Sequence, residues 1–167
     1  MEITNEQRKQ LLEYLSRRPY SEVFTLIAML VSLKPKSNGK ENDKVTQKLY
    51  KKLKAATPKI IWNRVENLSI PGMPDLLGYN DSGTFFTVEL KVTKGRKIRF
   101  SPHQIAFHVT HPKNTFILVQ TLGQGTGNRF QLYPGSGILA LEASGRDLEP
   151  FCLGLENCRN FFYELGA

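Results

Sequence analysis

The stretch Phe85-Phe86-Thr87-Val88-Glu89-Leu90-Lys91-Val92 constrains this chain more than any other. Alternation along a strand sends Phe86, Val88, Leu90 and Val92 to one face and Thr87, Glu89 and Lys91 to the other. So apolar a run belongs inside a sheet, where a charge is costly unless it is paired or bound to metal. Glu89 and Lys91 are therefore expected side by side on one face of a largely buried strand. The alternative is an edge strand whose polar face meets water.

Asp75 sharpens the first reading. Asp81-Ser82-Gly83 reads as a three-residue hairpin loop with Gly83 in the left-handed position. Asn80 and Thr84 then pair across it, and antiparallel counting places Asp75 opposite Glu89. Directly opposed residues have Cβ atoms about 4.5–5.5 Å apart. Two carboxylates at that spacing repel unless a cation lies between them, and hard oxygen ligands suit Mg²⁺, with Mn²⁺ as a substitute. A four-residue loop would shift the register by one. Phosphodiester hydrolysis needs an activated water and a cation near the developing negative charge, which two carboxylates, a bound metal and a lysine supply.

The coarse pattern is helical over 4–17 and 20–33, divided at Arg18-Pro19, and then a basic linker from Lys34 to Lys40. A helix over 41–56 carries Glu41, Val45, Leu49 and Leu53 on one face and lysines mostly around the others. Strands are expected at 59–65, 70–79, 84–92 and 116–120. Ser101-Pro102 reads as an N-cap and first helical residue, opening a helix to about Thr110. Residues 129–133 and 138–141 read as a hairpin, and 148–164 as a closing helix. The order implies an α/β fold, a mixed sheet flanked by helices. A helical extension over 1–35 precedes the main domain, 36–167.

Charge supports a polyanionic partner. The formal net charge is +8, and residues 34–64 hold ten Lys and Arg against two acids. Residues 91–113 hold six and no acid, whereas 141–167 hold five acids and two Arg. Such asymmetry fits nucleic acid, though a solvated lysine-rich helix face would look alike. Lys94, Arg96, Lys97 and Arg99 follow the central strand and are candidate phosphate contacts, as are Lys51 and Lys52 on the basic helix. The polar N-terminus and the short apolar run Val23–Leu33 suggest neither a secretory signal nor a membrane span. Cys152 and Cys158 suggest neither a disulfide framework nor a zinc site. A reducing cytoplasm, of a bacterial cell or phage-infected host, is the expected setting. His103, His108 and His111 lack the spacing of a zinc site. The glycines of 123–127 read as a mobile hairpin loop, and Trp62 as core or interface.

Pro74-Asp75 followed by Glu89-Leu90-Lys91 resembles the PD-(D/E)XK nuclease signature. Ser69 to Leu77 resembles the form found in VRR-NUC domains and archaeal-type Holliday-junction resolvases. Ser101-Pro102-His103-Gln104 resembles the segment that follows in that family. The resemblance covers roughly 41–120 and implies a restriction-endonuclease-like fold. It also implies Asp75 and Glu89 as metal ligands, Lys91 as catalytic lysine and Gln104 as a supporting residue. The family's helix acid corresponds to Glu41 as a third ligand, with Asp43 the alternative. The implied activity is Mg²⁺-dependent cleavage of branched or structured DNA in repair or recombination by a homodimer. Flap, single-strand or restriction-type cutting, or a module that binds DNA without cutting, are the competing expectations.

Overall fold

The computed structural model describes residues 6, 10, 13–15, 17–19, 22, 42–65, 72–123 and 129–167. The two expected N-terminal helices lie mostly outside these residues, as do Glu41 and most of the glycine-rich loop. Helix α1 spans Asn42–Ala56 and leads to β1, Ile61–Arg64. The β2–β3 hairpin, Leu76–Tyr79 and Phe85–Thr93, follows. Helix α2, Pro102–Thr110, crosses to β4, Thr115–Thr121, which precedes β5, Arg129–Pro134. A 3₁₀ turn, helix α3 (Ile138–Ser144) and a second 3₁₀ turn, Gly145–Asp147, come next. Strand β6, Cys152–Leu153, and helix α4, Leu155–Glu164, close the fold.

The six strands form one mixed sheet in chain order. Every neighbouring pair is antiparallel except β3–β4, which is parallel and joined through α2. This is the expected α/β architecture, with helices on both faces. Alternation divides the interior into two cores. Phe86, Val88 and Leu90 join Phe116, Leu118, Leu49, Leu53 and Phe162 on the side of α1 and α4. Ile117, Val119 and Tyr133 join Ile98, Ile105, Val109, Ile138 and Leu141 on the side of α2 and α3. Trp62 is a core residue. It donates to Thr57 Oγ1 at 2.8 Å and meets Phe86 and Phe162 edge-on.

Two expectations need correction. Residues 138–141 are helical, and β5 pairs with β6 rather than with them. Ile138 and Leu141, three apart, both point into the core, so their spacing is a helix period, and Gly135 and Gly137 make the turn that starts it. The closing helix begins at Leu155 rather than 148, because Cys152 and Leu153 are extended against Leu132 and Gln131.

The hairpin is tied to the C-terminus by Asn80, which is buried. Its Nδ2 donates to the Phe162 and Leu165 carbonyls at 2.9 and 2.7 Å, and its Oδ1 accepts from Thr84 N at 3.0 Å. Removing it orphans one buried and two part-buried polar groups, at a cost of roughly 1–3 kcal/mol where water cannot reach the group. Asn80→Ala should therefore lower stability by about 2–4 kcal/mol and the melting temperature by about 5–10 °C, read by thermal circular dichroism. A shift below about 2 °C would show that the C-terminus docks without it.

Candidate active site

The β2–β3 pairing runs Leu76↔Val88 through Tyr79↔Phe85. Continued one step at each end, it sets Asp75 opposite Glu89 and Asn80 opposite Thr84. Gly83 holds the left-handed turn position with φ +77°, so the loop has three residues. Asp75 lies just before β2, where the ladder ends. There its Oδ2 accepts from Leu90 N at 2.7 Å, in place of a backbone partner. Gly72, three residues earlier, packs so closely on the His103 backbone that any side chain would collide, which seats this entry segment against the first turn of α2.

Helix α2 supplies the third side. Ser101 Oγ accepts from Gln104 N, and Gln104 Oε1 accepts from Ser101 N at 3.0 Å, a reciprocal capping box. The same Gln104 Oε1 accepts from Lys91 Nζ at 2.9 Å, while Nε2 donates to Glu89 Oε1. Lys91 Nζ also lies 3.2 Å from Glu89 Oε1 and 5.0 Å from the centre of the Phe100 ring. One glutamine thus starts a helix and orients both a carboxylate and an ammonium group.

Glu89 is 1% exposed, and its Oε2 has no hydrogen-bond partner among the described residues. Burial, above all, pushes its pKa up from 4.5 to about 8; Lys91 opposes this and Asp75 adds to it. An orphaned, desolvated carboxylate oxygen beside a second carboxylate is the environment a hard divalent cation would relieve. The donor set present therefore fits such an ion. Among the described residues no three His, Cys, Asp or Glu side chains converge into a fuller cage. Glu41 lies outside those residues and the Asp43 side chain is likewise not described, so neither adds to the geometry.

A cleft of about 770 Å³ opens over this group. Asp75, Glu89, Lys91 and Gln104 line it with Lys94, Lys97 and Arg99, and Val45 and Thr46 bring the start of α1 to its wall. Arg96 is placed elsewhere, paired with Asp147. Lys51 and Lys52 are exposed on α1 and do not line the cleft. Of the histidines, His111 stacks on Phe107. His108 is wholly buried, and burial, with Lys91 and His111 adding to it, holds its pKa down to about 4, so it stays neutral at physiological pH.

No family model matches the chain, and no curated protein sequence matches it. Among solved structures it is similar to Hjc, a Holliday junction resolvase from Archaeoglobus fulgidus. The identity is 18% and the TM-score 0.42, over 55% of this chain and 73% of that one. Among the described residues no helix is long and apolar enough to cross a membrane.

Between pH 4.5 and about 8 the folded metal-free chain keeps a proton on Glu89 that the unfolded chain has lost. Its contribution is thus complete below the unfolded pKa and disappears as pH rises through the folded one, at about 1.4 kcal/mol for each pH unit crossed between the two. In chelator, melting temperature should fall between pH 5 and 8, and Glu89→Gln should flatten the fall and melt higher at pH 8. Parallel profiles for the two proteins would show that Glu89 is ionised throughout.

Proposed function

We propose that this chain is a divalent-cation-dependent DNA endonuclease of the PD-(D/E)XK type. The carrying observation is the buried Glu89 Oε2, unpartnered among the described residues, beside Asp75 and at the floor of a cleft walled by lysine and arginine. Asp75 and Glu89 would hold Mg²⁺ or Mn²⁺, which when bound supplies a more acidic water and charge neutralisation at the phosphate. Lys91, held by Gln104 and Glu89, points its ammonium group into the same space, where it can orient the attacking water and offset charge developing on phosphate oxygens. Lys94, Lys97 and Arg99 would grip the phosphodiester backbone beside the cut. Burial of Glu89 raises the value of the contacts around it, those of Asp75 and Lys91, because water screens them less.

Branched or otherwise structured DNA is the substrate we favour, and a homodimer the working form. Both rest on the sequence resemblance to junction resolvases and VRR-NUC domains. A module that binds DNA without cutting is favoured by one contact, the Asp75–Leu90 hydrogen bond, because it gives Asp75 a purely structural task as a ladder cap.

Asp75→Asn separates the two readings, since the amide oxygen can still accept from Leu90 N while the charge is gone. With Mg²⁺, wild-type protein should cleave at least one of four-way junction, flap and linear duplex. Asp75→Asn and Lys91→Ala should each lose about 10³-fold or more in rate, while binding changes by less than about threefold. Binding of all three substrates with no cleavage under Mg²⁺ or Mn²⁺ would leave the binding module standing. Undiminished cleavage by Asp75→Asn would remove the site.

A further inference from the structure

The residues after the central strand form a loop, 94–99, whose position decides whether Lys94, Lys97 and Arg99 face the cleft. A tail this rich in like charge tends to spread into solvent, so something has to hold it. On its inner side Thr93 Oγ1 lies 3.2 Å from the carbonyls of Gly95 and Lys97 and accepts from Gly95 N at 3.2 Å.

The outer side is held by the 3₁₀ turn Gly145–Asp147, some fifty residues further along the chain. Arg146 N donates to the Arg96 carbonyl at 2.8 Å, and Arg146 Nη1 lies 3.4 Å from the Gly95 carbonyl. Asp147 takes the Arg96 guanidinium. Gly145 sits at φ +59°, and a Cβ there would collide with the Arg96 carbonyl. Backbone therefore lies directly on backbone, a contact that only glycine permits. An exposed ion pair alone holds little, but here it adds to contacts that fix the backbone.

We infer that Gly145–Asp147 is a backstop that positions the cleft loop. Arg96 serves this contact rather than the phosphate backbone, leaving Lys94, Lys97 and Arg99 to meet the nucleic acid. This rests on the proposed DNA-cleaving function. Arg96, Asp147 and Gly145 are positioning residues: they touch neither the reacting groups nor the cleft, and act through the loop.

The salt dependence of DNA binding separates a positioning role from a direct one. A residue that neutralises a phosphate lowers the slope of log Kd against log salt by about one when removed; a residue that only places the loop leaves it unchanged. With a fluorescein-labelled four-way junction, Lys97→Gln should lower the slope by about one. Arg96→Gln and Asp147→Asn should each weaken binding about three- to tenfold with the slope unchanged. Their double variant should be little worse than either, because both break one contact. Asp147→Glu should largely restore binding. Gly145→Ala should raise KM about tenfold or more and leave kcat within about twofold, with its melting transition checked alongside.

The sign at Asp147 is decisive. If it were merely an acid near the DNA, Asp147→Asn would tighten binding, and that result would overturn the inference. So would an Arg96→Gln slope change matching that of Lys97→Gln. Amide exchange at Arg146, whose N–H the Arg96 carbonyl accepts, tests the backstop without DNA. Faster exchange in Gly145→Ala, with a smaller rise in Arg96→Gln and Asp147→Asn, supports it, and unchanged exchange in Gly145→Ala refutes it. Failure of the wild type to bind the junction at all would strike the function proposal, and the exchange measurement would still decide the backstop.

Discussion

A buried carboxylate with one oxygen unsatisfied among the described residues is the constraint around which this structure is arranged. Glu89 lies on a central strand flanked by β2 and β4, between two packed cores. Desolvation raises the cost of its charge far more than Lys91 offsets, which is why its pKa stands near 8 despite a lysine 3.2 Å away. A fold of this size has only a modest net stability to set against such a group. Under the proposed function a divalent cation would give the arrangement a chemical purpose, with the unpartnered oxygen as one of its ligands.

The neighbours of Glu89 act as a frame built from ordinary secondary-structure devices. A three-residue hairpin loop sets the register that brings Asp75 across from it. A capping box fixes Gln104, so the start of α2 and the orientation of Glu89 and Lys91 are one structural event. Gly72 against His103 ties the segment carrying Asp75 to the same helix turn. The Gly145–Asp147 turn then carries the frame outward to the basic loop. Rigid elements hold Asp75, Glu89 and Lys91, and the exposed cations Lys94, Lys97 and Arg99 extend from their rim.

Much of this is legible in the sequence because it is local. Alternation over 85–92 identifies the faces of β3, Asp81-Ser82-Gly83 sets the register, and Ser101-Pro102 marks the start of α2. What the sequence hides depends on partners far apart in the chain. Asn80 reads as a turn flank, yet its donors go to residues more than 80 positions away. Arg96 reads as one more cleft cation until Asp147 is placed beside it. Strand β6 has two residues, too few to show a period, and without it residues 138–141 look like the partner of β5. The i, i+3 spacing of Ile138 and Leu141 is the available signal for a helix there.

Calorimetric titration of the chelator-treated protein with Mn²⁺ at pH 7, in two buffers of different ionisation enthalpy, tests the central claim most directly. If Glu89 is protonated and faces the cation position, binding of the ion should release close to one proton per chain, and Glu89→Gln should bind far more weakly with no release. Tight binding by the wild type without proton release, or equal binding by Glu89→Gln, would contradict the account.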